Sequence, residues 1–414
     1  MLYKIILWLL FSSATCISAD KLKVLYEWDY FDFDWISEDQ KSAAVASGDY
    51  NKTKPVSIDV DKWKDKVFVT VIRDKGVPAS LNTISNKTGP GGPLLSPYPS
   101  WDWTNKTDCN SIIGVYRVAI DRCDRLWVLD TGKIGETKVC PASLFIFNLH
   151  TDKLIKHIVI PDSAAENPKK KLGLLVTPVV QIFGRCDRYM VYMADVEGYG
   201  LVVYNGEKFW RLSSPTFQAD ENVHNFTIAG ESFILNDGIL GMALEPGFGY
   251  MRKLWYKPLA SKNLNSINTV IFHQFIHINF NFSYKDVLPS QSAAMAFSKD
   301  GVLFFGLVHE IAIACWYYRN PVNWKYMAID DQNDKTLQFA SGVKIAPNGE
   351  KEMLLVSTNR LQKSYAGTMK FDEVNFRILG ACVDDLIKGT VILFFAKKFG
   401  KSISVEWLGD HKSK

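Results

Sequence analysis

Apolar and polar positions along this chain alternate in one arrangement that keeps returning. An apolar stretch enters a polar turn rich in Asp, Asn, Gly and Lys, a strand-like run follows, and a polar end closes it. The arrangement appears as "IDVDKWKDKVFVTVIRDKG" from Ile58, "AIDRCDRLWVLDTG" from Ala119 and "FGRCDRYMVYMADVEG" from Phe183. It returns as "MALEPGFGYMRKLWYKPLAS" from Met242, "MAFSKDGVLFFGLVHE" from Met295 and "VKIAPNGEKEMLLVSTN" from Val343. Six copies, spaced roughly 50 to 65 residues apart, mark a repeat architecture.

Several copies are followed by a second short strand, such as Ala142 to Asn148 or Gly200 to Tyr204. These runs are β-branched and aromatic and are bounded by Gly, Asp, Asn or Pro, as strands are. Helical periodicity is weak apart from a short helix predicted near Ser37 to Ala46. A four-stranded unit cannot cover both faces of its own sheet, so its neighbours must stack on it, and radial stacking leaves only short edges exposed. The prediction is an all-β, six-bladed β-propeller forming a single domain over residues 20–390. Cys-Asp-Arg occurs twice, at Cys123 and at Cys186, in equivalent turns of adjacent blades. There Asp124 and Asp187 are expected to stabilise the turns, and the cysteines to clip blade to blade.

Composition adds a compartment. Lys4, an apolar run from Ile5 to Phe11 and a small-residue stretch to Ala19 read as a secretory leader over residues 1–19. No later segment is apolar enough to anchor in a membrane, so the product is expected to be soluble and extracellular. Outside the leader remain six cysteines, Cys109, Cys123, Cys140, Cys186, Cys315 and Cys382, whose even number favours disulfides in an oxidising compartment. Asn51, Asn86, Asn105, Asn225 and Asn281 head Asn-x-Ser/Thr sequons and are expected glycosylation sites. A net charge of +4, from 48 basic and 44 acidic side chains interspersed, gives no nucleic-acid footprint. An aromatic content of 13% with 12 Trp provides for a large core.

"LYEWDYFDFDW" from Leu25, "GVPASLNTISNKTGPGGPLLSPYPSWDW" from Gly76, "DGILGMAL" from Asp237 and "FDEVNFRIL" from Phe371, with the repeats, closely resemble the major royal jelly protein branch of the yellow family of insect secreted proteins. The resemblance runs from about residue 22 to 389 and implies the same six-bladed propeller. It also implies disulfides Cys123–Cys186 and Cys109–Cys140, and a role as a nutritive or gland-secretion component, venom included. Some salivary relatives hold biogenic amines in the central channel. Their hydroxyl donor corresponds to Ser341 and their amide to Asn359, but the aromatic two positions further on is Leu361 here, which removes the ring that would stack on an ammonium group. The branch usually ends in a segment whose cysteine closes onto the residue matching Cys315. This chain instead runs "LIKGTVILFFAKKFGKSISVEWLGDHKSK", so Cys315 pairs with Cys382 or stays free, and residues 391–414 form an atypical tail expected to be poorly ordered.

Catalytic signatures are sparse. The chain has no Gly-x-Ser-x-Gly and no His-Glu-x-x-His, and "GPGGP" at Gly89 lacks the strand–helix context of a dinucleotide loop. His273 and His277 lie in "VIFHQFIHINFNF", which alternates like a strand and would hold them about 13 Å apart, too far for one metal. The site expected is the propeller axis, where Asp130, Asp195, Glu197, Glu310 and Asn359 end near the channel mouth and to which the resemblance adds Ser341. The reading is therefore non-enzymatic, with no catalytic residue, cofactor or metal. The partner expected is a small molecule in the central channel, an amine or a sterol, with no nucleic acid and no membrane. An alternative is a Ca²⁺-dependent, lactonase-like hydrolase using Asp130, Asp195, Glu310 and Asn359. Pigment-pathway isomerisation, proposed for some yellow proteins, finds no distinctive residue here.

Overall fold

The computed structural model describes residues 21–247, 249–274 and 281–390. The expected leader and the tail from Val391 lie outside the described residues. Six four-stranded antiparallel sheets form the molecule, each a meander running outward from an innermost strand. The innermost strands are Ser57–Trp63, Val115–Asp121, Leu175–Ile182, Ile239–Leu244, Met295–Phe297 and Ala340–Asn348. Each contacts the next and the sixth contacts the first, so the ring is closed. The chain is a six-bladed β-propeller, as the repeats predict.

Each of the six sequence repeats is the hairpin that joins an innermost strand to the second strand of its blade. The remaining three pairs behave alike. In the second blade the turn is built by its acids. Asp121 accepts from the Cys123 N–H at 2.8 Å, from Arg125 Nε at 2.8 Å and from Trp127 Nε1 at 2.7 Å. Asp124 adopts the left-handed conformation at φ 54°, which Asp tolerates better than most residues. Its carboxylate reaches Trp63 Nε1 of the first blade at 2.7 Å, so the acid also ties two blades together. The second Cys-Asp-Arg turn solves the same problem differently. There Gly184 takes the positive φ, and Asp187 pairs with Arg185 at 2.8 Å.

Blade-to-blade burial holds the ring together. Trp127, Leu144 and Ile146 of the second blade pack on Val191, Met193 and Val202 of the third, and Trp255 of the fourth packs on Phe305 and Trp316 of the fifth. Large apolar side chains buried this way contribute about 2 kcal/mol each, so the seams supply most of the stabilisation. Closure comes from the N-terminus: Lys23–Trp28 pairs antiparallel with Phe376–Cys382 and becomes the outermost strand of the sixth blade. In five blades the innermost strand begins with a β-bulge, at Ser57/Asp59, Val115/Val118, Leu175/Thr177, Ile239/Gly241 and Ala340/Gly342. A bulge bends and twists a strand, which suits the crowded axis.

Two disulfides join Cys109 to Cys140 and Cys123 to Cys186, the pairing implied by the resemblance. The second bridges the twin turns of adjacent blades. Of the two outcomes left open for Cys315, pairing with Cys382 or staying free, the structure shows the second, and both thiols are free. Cys315 is buried in Ala312–Tyr317 of the fifth blade and donates to Asp330 Oδ1 at 3.2 Å, whereas Cys382 ends a strand of the sixth blade. The segment expected as one strand around His273 and His277 is also corrected. Ile271–Gln274 is a helical turn and the strand is only Asn281–Tyr284, while His277 lies outside the described residues. The short helix near Ser37 is present as Glu38–Ser47, with the Ser37 side chain capping the Gln40 N–H.

Candidate functional site: the propeller axis

The two ends of the axis differ. At the end where innermost strands begin and second strands finish, the predicted acids are bound up in the fold. Asp130, buried at the end of its strand, accepts from the N–H groups of Ile113, Gly114 and Gly132 at 2.6, 3.0 and 2.7 Å. Burial pushes its carboxyl up to about 6, against the pull of those N–H groups and of Arg73. Asp195 holds the corresponding position in the third blade. It accepts from the Leu174 and Gly198 N–H groups at 2.7 and 2.9 Å and pairs with Arg211. Both acids therefore fasten the loop that enters the innermost strand.

The remaining candidates at this end are also engaged. Glu197 pairs with Lys133 at 3.1 Å, and the Glu310 carboxylate accepts from Ser290 Oγ. The Ser341 hydroxyl donates to the Ser357 carbonyl at 3.3 Å, and Asn359 Nδ2 donates to the Ser57 carbonyl at 2.7 Å, although Asn359 Oδ1 has no hydrogen-bond partner. Leu361 opens the helix Leu361–Ala366 and joins the buried cluster of Phe226 and Phe233. That helix packs on a two-stranded hairpin, Asn225–Ile228 with Glu231–Ile234, through a Lys363–Glu231 ion pair at 3.1 Å and a Tyr365–Phe233 stack. Among the described residues, no three His, Cys, Asp or Glu side chains come together as a metal site.

At the other end the ring opens into a cavity of about 780 Å³ lined by all six blades. None of the sequence-nominated residues lines it. Small side chains at Ala119, Gly241, Ala243, Ala294 and Ala296 leave the room, and Val179, Met242, Leu244, Met295 and Ile345 supply apolar wall. Gly241 is required where it stands, because a Cβ there would meet the Ala293 carbonyl oxygen at 2.8 Å and Lys257 Cε at 2.9 Å.

Charge gathers beside the cavity's inner end. Lys344 Nζ lies 3.1 Å from Asp59 Oδ2 and 3.8 Å from Asp61 Oδ2 and donates to the Val118 carbonyl. Arg117, from the neighbouring blade, donates to the Ser341 carbonyl at 2.6 Å and stands 4.0 Å from Asp59 Oδ1. Burial pushes Asp61 up to about 6 although Lys344 opposes it. Lys257 donates to Ser292 Oγ and is held well below the usual lysine range by burial and by the Arg117 charge. Reasoning from strand ends missed Asp59, Asp61, Arg117 and Lys344. Their signal was available: charges inside innermost strands otherwise apolar, in "SIDVDKW", "VYRVAID" and "ASGVKIA".

The fold and the site together define a closed six-bladed propeller with a partly apolar cavity on its axis and charged side chains beside the cavity's inner end. The chain belongs to the major royal jelly protein family. The family model "Major royal jelly protein" matches residues 113–392. Major royal jelly protein 9 of Apis mellifera is 44% identical over 385 residues, covering 90% of each chain. Major royal jelly protein 8 of the same species is 43% identical, over 90% of this chain and 93% of that one. Among solved structures, virginiamycin B lyase from Staphylococcus aureus is similar at 12% identity and a TM-score of 0.39, over 79% of this chain and 96% of that one. That likeness is too distant to bear on function.

Proposed function

We propose that this chain is a secreted, non-catalytic component of a nutritive or glandular secretion that carries a small molecule in its axial cavity. The observation that carries the reading is the contrast between the two ends of the axis. The acids that a hydrolase would need are spent on backbone N–H groups and on Arg211, Lys133 and Ser290, while the open end offers about 780 Å³. Ligand sites typically occupy some 300–1,000 Å³. Secretion is supported by the leader-like N-terminus and by the two disulfides. No helix among the described residues is long and apolar enough to cross a membrane.

The test is native mass spectrometry of the protein as secreted by insect cells, followed by denaturation and analysis of what is released. A stoichiometric small molecule supports the carrier reading. Turnover of an ester or lactone that is lost in Asp130→Asn while the fold is retained would replace it with the hydrolase alternative.

A further inference from the structure

We propose that the cavity takes an amphipathic carboxylate, with its head group on Arg117 and Thr177 and its hydrocarbon body along the apolar wall. The inference rests on the carrier reading and names its ligand class. Arg117 is 4% exposed and lines the cavity, yet Nε of its guanidinium has no partner. Thr177, 6% exposed on the next blade, lines the same cavity and leaves Oγ1 without a partner. Buried donors are rarely left unpaired, because each costs free energy that a bound acceptor returns. A carboxylate has two oxygens with room for several donors and suits a guanidinium edge plus a hydroxyl.

Charge at the mouth points the same way. Lys62, Arg122 and Lys351 line it and have no acidic partner among the described residues. Of the mouth acids, Asp121 is engaged by Arg125 and Trp127, Asp124 by Trp63 and His150, and Glu352 by the Lys299 N–H, which leaves Glu350 to offset one of the three cations. The excess is cationic and attracts an anion. An ammonium ligand would instead face Arg117 and Lys344, while Asp59 and Asp61, the acids beside them, already face Lys344. Between mouth and inner end, Val179, Met242, Met295 and Ile345 provide a surface that a fully polar anion would not use. Asp59 Oδ1, also without a hydrogen-bond partner, lies 4.0 Å from the Arg117 guanidinium and partly balances that charge.

Calorimetric titration of the full secreted protein at neutral pH with decanoate, decanol and decylammonium tests this. Decanoate is expected to bind once per chain, with decanol weaker by about tenfold or more and decylammonium weaker still. Arg117→Gln should remove that preference. Because Arg117 is buried and that variant can misfold, Thr177→Val, expected to weaken decanoate several-fold, and Ala296→Phe, expected to abolish binding by filling the half-buried wall, serve beside it. Decanol or decylammonium binding as tightly as decanoate overturns the carboxylate assignment and leaves the carrier reading standing. Binding of decanoate undiminished by Ala296→Phe overturns the location. Absence of heat with all three probes overturns both.

Discussion

The bond between the twin turns gives the most quantitative prediction. Cys123 and Cys186 are separated by 63 residues and staple the second blade to the third. Closing a loop of that length removes chain entropy from the unfolded state worth about 4 kcal/mol at room temperature. The double substitution Cys123→Ser with Cys186→Ser avoids leaving a reactive thiol and should lower unfolding free energy by that amount. With an unfolding entropy of about 2 cal/mol/K per residue, a chain of this size should lose about 5 °C in Tm. The assay is urea unfolding and scanning calorimetry of the variant and the parent without reductant. Cys315→Ala is the control: its thiol is free, so the variant should lose only its packing and its contact with Asp330, and it should keep the full sensitivity of the parent to dithiothreitol. A double variant within about 1 kcal/mol of the parent would refute the argument, because burial of Trp127 against the third blade would then hold the seam without the crosslink.

Other consequences follow from the same structure. Asp195→Asn leaves Arg211 buried without its counter-charge and should cost about 3–5 kcal/mol in urea unfolding while leaving decanoate affinity unchanged. Asp61 and Asp130 are raised from 3.8 to about 6, and Asp237 and Asp330 to about 7. Protonation of these carboxyls favours the folded state, so their contribution is complete below 3.8 and is lost as pH rises through 6 to 7. Asp34, Asp49, Asp124 and Glu231 are lowered by their partners and act oppositely, losing their contribution as pH falls below the ordinary carboxylate range. From these groups Tm should therefore peak near about pH 4 and fall between about pH 4 and 7, and a Tm that climbs steadily from about pH 4 to 7 would contradict this. Asn51, Asn86, Asn105 and Asn225 are exposed, and the Oδ1 atoms of Asn51 and Asn105 accept from the Thr two residues on. Peptide mapping after enzymatic deglycosylation should find these four positions converted to Asp, and an unmodified Asn51 and Asn105 would count against the assignment.

The hairpins were legible in the sequence because their two strands are adjacent in the chain and their turns need Asp or Gly. Asp121 and Asp124 show it, since the same local chemistry that repeats in the letters sets the turn. Ring closure was not legible in that way. Lys23–Trp28 finds its partner more than three hundred residues away, and its pattern is no more apolar than that of a surface strand. Outer strands were equally weak signals, as Lys153–Val159 is largely exposed and carries no alternation to read. At the axis, place in the repeat points to the strand-end acids. A buried acid at a strand end also caps the N–H groups of the loop beside it, and that is what Asp130 and Asp195 do. The charged residues that do meet the cavity sit mid-strand, where Arg117 and Lys344 interrupt an apolar run.

The account stands or falls on which end of the axis is used. Native mass spectrometry of three secreted proteins, the parent, Ala296→Phe and Asp130→Asn, separates the two ends directly. The parent and a folded Asp130→Asn should each release one small molecule per chain, and Ala296→Phe should release none. Equal occupancy in Ala296→Phe and the parent, or loss of the ligand in a folded Asp130→Asn, would contradict the account and move the site to the opposite mouth.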